Sequence, residues 1–212
     1  MAISLAPAAQ TPADSAQIEN LLDLTFGLSR RTKTSYRLRE GSAPANGLSL
    51  VIRQAEFGVV GAISFWPLRI GTVGTRALLL GPLVVHSQLQ NIGIGRALMH
   101  EGIARASAQG HQMIFLIGDA PYYGRVGFRQ VPEGQIEIPG SVDAKRLLYL
   151  ELQVGVLAKA RGLMLADWRW RGLSPFAPPH KGRTQQQSGQ RKQTRRQSPF
   201  VNGDGSELIV GV

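Results

Sequence analysis

The chain has 212 residues and a formal net charge of +10, with 24 Lys and Arg against 14 Asp and Glu. It contains no cysteine and only four scattered histidines, which excludes disulfide and thiolate chemistry and gives no metal-ligand spacing, so no metal is expected. This length suits one domain of ordinary size with extensions; no stretch approaches membrane-spanning length and no export signal opens the chain, so a cytoplasmic protein is expected.

Thr11-Pro12-Ala13-Asp14 reads as a helix opening, with Thr as N-cap, Pro in the first turn and an acid three residues on. Ile18, Leu21, Leu22 and Phe26 then recur at helical spacing before Gly27, which predicts a helix with one face on a sheet. Residues 30–40 are polar, with a second short helix as one reading, and 41–47 form a turn-rich loop. Residues 48–53 and 58–66 read as a hairpin, and 76–86 as a central strand, near-continuously apolar as expected when both faces are covered. Gly81-Pro82 inside that strand predicts a bulge, because Pro cannot donate to a ladder.

A helix from Ile94 to a stop at Gly110, a short buried strand at 113–117, a brief helix capped by Asp119 and a last strand at 147–152 complete the pattern. Strands and helices interleaved around a mixed sheet make this an α/β fold, α+β in the broader sense. The organisation expected is a domain over 1–155, an extension over 156–180 and a basic low-complexity tail over 181–212. Residues 169–212 carry +6 of the net charge, and 182–205 are rich in Gln, Arg, Ser and Gly, a composition that predicts disorder. The tail reads first as solvated; RNA or an acidic carrier protein is its alternative contact, and no aromatic interleaves its basic residues between 181 and 199.

The most informative segment is 80–128. Gln90-Asn91-Ile92-Gly93-Ile94-Gly95 opens a helix, and two glycines one residue apart let main-chain N–H groups approach an anion at the positive end of the helix dipole. A dinucleotide fold wants a third glycine where Leu98 stands, and no Lys-Ser or Lys-Thr pair of a P-loop follows. The Gln-x-x-Gly-x-Gly pattern, preceded by Leu80-Gly81-Pro82-Leu83-Val84-Val85-His86 and followed by Gly118-Asp119 and Tyr122-Tyr123-x-Arg125-x-Gly127-Phe128, resembles the GNAT superfamily of acyl-CoA-dependent N-acyltransferases, and within it the YhbS-like acetyltransferases.

The resemblance covers roughly residues 3–152. It implies a mixed, mostly antiparallel central sheet whose central strands splay apart, flanked by helices. It further implies that main-chain groups of Leu83, Val84 and Val85 pair with the pantetheine of acetyl-CoA. Asn91, Ile92, Gly93, Ile94, Gly95 and Arg96 would hold the pyrophosphate through their amides, with Gln90 shaping the loop. Tyr123 stands where many relatives place the tyrosine that bonds the cofactor sulfur, so it is the expected catalytic residue, whereas Tyr122 is expected in the core. Asn91 and Ile92 replace a Gly and a basic residue frequent there, and Ser87 a common Pro.

The reaction implied is direct acyl transfer from acetyl-CoA to a primary amine, with a main-chain N–H of 83–85 stabilising the oxyanion and Tyr123 protonating or hydrogen-bonding the departing thiolate. No general base emerges: the central strand lacks a carboxylate, His86 reads as a cap residue, Glu56 as a solvated turn residue and Asp119 as a helix cap. Arg125 reads first as a solvated cation and second as a phosphate contact, and Trp66, Trp168 and Trp170 as packing before acceptor binding. The competing functions are a catalytically silent acyl-CoA-binding module and an acyltransferase whose donor is an acyl-carrier protein. A second copy of the chain is a candidate partner.

Overall fold

The computed structural model describes residues 4–140 and 142–173. The expected disorder of 181–212 and the end of the extension, 174–180, lie outside the described residues. Strand β1 is Ala8–Ala9, followed by a capped 3-10 turn, Pro12–Asp14, helix α1, Ser15–Phe26, and the short helix α2, Thr34–Arg37. Strands β2, Ser49–Gln54, β3, Gly58–Ile70, and β4, Thr75–Val85, form an antiparallel meander. Helix α3, Ile94–Ala108, crosses back to β5, Met113–Ile117; helix α4, Ala120–Tyr123, and strands β6, Arg129–Gln130, β7, Ile136–Glu137, and β8, Leu147–Glu151, follow. Strand β9, Gly162–Ala166, and helix α5, Asp167–Leu173, close the described chain.

The sheet runs β1-β2-β3-β4-β5-β8-β6. Its β4/β5 ladder is parallel and the others along that path are antiparallel, giving the mixed, mostly antiparallel fold that the sequence implies. Alternation along β4 sends Leu78 and Leu80 to the α3 face and Ala77 and Leu79 to the opposite face. Ile94, Leu98 and Met99 of α3 pack on the first set with Ile63 and Phe65; Ile18, Leu21 and Leu22 of α1 cover Val51, Val59, Ala62 and Val84. Gly61 and Gly102 permit the close approach of α3: a Cβ at Gly61 would lie 2.5 Å from Ile94 Cγ2, and one at Gly102 2.4 Å from Phe65 Cε2.

The extension is less separate than expected. Residues Leu68, Arg69 and Ile70 of β3 pair with Ala166, Leu165 and Met164 of β9, and Ala160, Met164 and Ala166 are buried. Arg69 Nε donates to Asp167 Oδ1 at 2.5 Å, Trp170 Nε1 to the Gly71 carbonyl at 2.9 Å and Trp168 Nε1 to the Glu40 carbonyl at 2.9 Å. The packed unit therefore runs through α5 rather than stopping at 155. Periodicity missed this strand because Gly162–Ala166 is short and gains its ladder only from a strand nearly a hundred residues earlier.

Candidate active site

The site begins with one extra residue in β4. Ile63 pairs with Leu83 and Phe65 with Leu80, so Gly81-Pro82 adds a residue against β3 and the expected bulge is present. A one-residue insertion reverses the alternation beyond it. Leu83 therefore joins Leu78 and Leu80 on the α3 face, and Val84 turns to the α1 face, buried against its apolar side. The indole N–H of Trp66 donates to the Gly81 carbonyl at 2.5 Å, which satisfies an acceptor that the bulge removes from the ladder.

The same bulge ends the contact between β4 and β5. Their ladder consists of Leu78 with Ile114 and Leu79 with Phe115, whereas Leu116 and Ile117 of β5 pair only with β8. The N–H of His86 bonds to the carbonyl of Val60 at 2.8 Å. Because hydrogen-bonded pairs alternate along an antiparallel ladder, Val84 bonds to Ala62, and the N–H and C=O of Leu83 and Val85 point away from β3 into the gap. The expected trio thus divides: Leu83 and Val85 face the opening, and Val84 belongs to the core by both side chain and backbone.

A cleft of about 380 Å³ opens at this gap, and Leu83, Val85, Gln90, Asn91, Ile92, Gly93, Ile94, Gly95 and Arg96 all line it. Thr25, Leu89, Met99, Tyr122, Arg125 and Val126 complete the wall. The loop is shaped by two left-handed residues, Asn91 at φ 63° and Gly93 at φ 99°. Asn is the side-chain-bearing residue that best tolerates this region, so its replacement of Gly preserves the turn. Gly93 accepts the first α3 bond, from Ala97 N–H at 2.9 Å, and leaves the amides of Ile94, Gly95 and Arg96 without intrahelical acceptors. Arg96 and Arg125 are the charged residues of the wall, and among the described lining residues there is no carboxylate. The cleft thus presents two cations and a helix N-terminus on one wall.

The two tyrosines exchange the places expected of them. Tyr122 lines the cleft, and a Cβ added at Gly95 would lie 2.7 Å from its hydroxyl, so only glycine lets the phenol sit over the first turn of α3. Burial raises its pKa above the ordinary tyrosine value. Tyr123 is 1% exposed and packs in the α3-face core, edge-on to Tyr122 at 4.9 Å and to Phe128 at 6.0 Å. Gly118 makes room for it: a Cβ there would stand 2.4 Å from Tyr123 Cε2. Burial first, and the neighbouring Tyr122 next, hold the Tyr123 phenol far above the usual range, and its hydroxyl has no hydrogen-bond partner among the described residues. The reason is helical: Tyr122, Arg125 and Val126 share one face where α4 runs on into the 3-10 turn Gly124–Val126, and Tyr123 falls on the next.

The other candidates are placed as follows. His86 caps a 3-10 turn, accepting from Gln88 N–H at 3.4 Å, and meets Phe57 edge-on at 5.2 Å. Glu56 is exposed in the hairpin turn. Asp119 begins α4, but its carbonyl, not its side chain, accepts from Tyr122 and Tyr123 N–H, both at 3.1 Å. Leu89, Met99 and Val126 were not among the expected site residues, and Thr25 reaches the cleft from α1, a distance in sequence that no local signal bridges.

A mixed, mostly antiparallel sheet parted beside a glycine loop and a helix N-terminus places the chain in a class of α/β folds. The family model described as the Acetyltransferase (GNAT) family matches residues 15–128, more than half of the chain, and the chain belongs to that family. It is 28% identical over 119 residues to the uncharacterized N-acetyltransferase YhbS of Escherichia coli K12, covering 56% of this chain and 70% of that protein. It is 31% identical over 118 residues to the uncharacterized N-acetyltransferase YjhQ of the same strain, covering 55% and 65%. In fold it superimposes on Escherichia coli YhbS in complex with CoA with a TM-score of 0.68 at 22% identity, over 80% of this chain and 94% of that one. A GNAT family acetyltransferase from Brucella melitensis in complex with acetyl-CoA gives a TM-score of 0.51 at 27% identity, over 65% and 92%.

Proposed function

We propose that this protein transfers an acetyl or other short acyl group from acetyl-CoA to a primary amine by direct attack. The observation that carries this reading is continuity: the unpaired peptide edge of Leu83 and Val85 opens into the same cleft as the first-turn amides of α3 and the side chains of Arg96 and Arg125. An amide-rich arm ending in a diphosphate needs that sequence of partners. The CoA and acetyl-CoA complexes of the two structural relatives support the same reading.

Coenzyme A supplies an acyl group activated as a thioester. The chain's own residues do the rest. Leu83 and Val85 offer strand-like hydrogen bonds to the arm, and one of their N–H groups stabilises charge growing on the acyl oxygen. The amides of Asn91, Ile92, Gly93, Ile94, Gly95 and Arg96 hold the diphosphate, with Gln90 and Asn91 fixing the loop. Tyr123 remains our proposed partner of the leaving sulfur. Its hydroxyl is buried and unclaimed, and its raised pKa keeps it protonated, suited to donate a hydrogen bond to a thiolate whose conjugate acid has a pKa of about 8.5. Tyr122 covers it on the cleft side and must yield for that contact to form.

A second reading, a silent acyl-CoA-binding module, draws support from the described lining residues, which include no Asp, Glu or His to serve as base. Calorimetric titration with acetyl-CoA, then detection of free thiol across a panel of amines, separates the two. Binding followed by amine-dependent thiol release supports transfer. Binding with no release from any amine supports the silent module, and no binding at all defeats both.

A further inference from the structure

Outside the cleft, the turn that follows α2 holds a buried cation, Arg39, that forms no ion pair among the described residues. Tyr36 lies between two guanidinium groups, and they are treated differently. Arg30 donates Nη2 to Glu19 Oε2 at 2.6 Å, Nε to Asp23 Oδ1 at 2.7 Å and Nη1 to the Tyr36 hydroxyl, so it is fully engaged. Arg39 stacks on the Tyr36 ring with Cζ 4.0 Å from its centroid and gives Nε to the Ser35 carbonyl at 2.9 Å. It is 7% exposed, forms no ion pair with a described carboxylate, and its Nη2 has no partner among the described residues. Burial lowers its pKa to about 10, which still leaves it cationic at neutral pH. Three residues on, Ser42 donates its N–H to the Arg39 carbonyl, and its own hydroxyl is likewise buried without a partner.

The position of this cation is the informative point. Arg39 Cζ is 5.7 Å from the ring centroid of Trp66, and Trp66 Nε1 holds the Gly81 carbonyl at the bulge. One indole therefore separates Arg39 from the place where β4 leaves β5, on the side away from the glycine loop. A desolvated guanidinium lacking an anion is costly for a fold to keep, and a structural cation would be expected to have the carboxylates that Arg30 has. A guanidinium Nη2 that nothing among the described residues claims is matched by a carboxylate oxygen.

We propose that Arg39 anchors the acceptor: the amine acylated by this protein also carries a carboxylate, which accepts from the unclaimed Nη2 of Arg39 while the amine is directed past Trp66 to the bulge at Gly81. This rests on the acyl-transfer reading above. Ser42 supplies a second donor from the same turn, and the Tyr36 and Trp66 rings hold the guanidinium in place. Chain length between amine and carboxylate then becomes the property that the site selects.

The test pairs amino acids of increasing amine-to-carboxylate length with their carboxamides, at saturating acetyl-CoA. Wild type is expected to favour the acid over its amide by roughly 10- to 100-fold in kcat/KM for at least one length, the range for a hydrogen bond to a charged group. Arg39→Met collapses that ratio, Arg39→Lys restores part of it, and the KM for acetyl-CoA does not move. Equal losses on acid and amide, or a ratio unchanged in Arg39→Met, overturns the proposal. If no amine is acylated, the transfer reading fails by itself, and the anchor is still read from melting curves with the same acids. A rise in wild type that is absent in Arg39→Met upholds the anchor, and no rise in either overturns it. A lower melting temperature for Arg39→Met without ligand, with no rescue by Lys, marks Arg39 as structural and overturns it as well.

Discussion

Replacing Tyr123 by Phe separates what the hydroxyl does for the fold from what it does for the reaction. The ring fills a core position at 1% exposure with room cut for it at Gly118, and Phe keeps those contacts. Only an oxygen without a partner is lost. A buried, unsatisfied polar group costs about 1–3 kcal/mol, so its removal should stabilise the protein by about 1–2 kcal/mol. For a chain of this size that corresponds to a rise in Tm of about 2–8 °C, readable by differential scanning calorimetry. Turnover should move the other way. Loss of one hydrogen bond to a departing thiolate, at about 1.5–3 kcal/mol, lowers kcat by about 10- to 100-fold while the Kd for acetyl-CoA stays within a few-fold. A fall in Tm of several degrees would show that the hydroxyl has a structural partner. An unchanged kcat would remove Tyr123 from the chemistry and leave Tyr122, whose phenol lines the cleft, to be tested by the same substitution.

Gly118→Ala should destabilise by about 1–3 kcal/mol, because its Cβ would meet the buried Tyr123 ring at 2.4 Å; denaturant melts check this, and wild-type stability would refute the packing described. Gly95→Ala brings a methyl to 2.7 Å from the Tyr122 hydroxyl, a side-chain end that can swing aside, so Tm should hold while the Kd for acetyl-CoA rises about tenfold by calorimetry. An unaltered Kd would place the cofactor elsewhere. Asp14 accepts from Arg53 at 2.8 and 2.5 Å and from Thr11 N–H at 2.7 Å. The Arg53 hydrogen bonds hold its carboxyl well below the usual carboxylate range, against the opposing effect of burial. Its contribution is therefore complete at neutral pH and fades as pH drops below about 4, the unfolded value. Asp14→Asn should flatten the acid limb of the stability profile, and a profile parallel to wild type would refute this linkage.

The order of elements was legible in the sequence because each depends on local pattern. The central strand, the helix from Ile94 and the glycine loop follow from apolar periodicity and from where glycine stands, and Gly81-Pro82 announced its own bulge. Nine of the ten residues expected to contact the cofactor line the cavity, because the glycines of that loop fix where it turns. Val84 was the exception, since counting along a motif does not show that one inserted residue reverses which side chains and which peptide groups face outward. Tyr122 and Tyr123 pose the same problem on a helix, where adjacent residues point about a quarter-turn apart and only the neighbours at Gly95 and Gly118 decide which ring goes inward. Thr25 at the cleft, β9 on β3 and Arg39 beside Trp66 depend on contacts across tens of residues. Sequence by itself determined the fold and the position of the glycine loop, because hydrophobic period and backbone freedom are properties of short segments. Only tertiary structure decided which groups are paired and which are left open, because a hydrogen bond or a counter-charge is supplied by whatever the folded chain brings alongside.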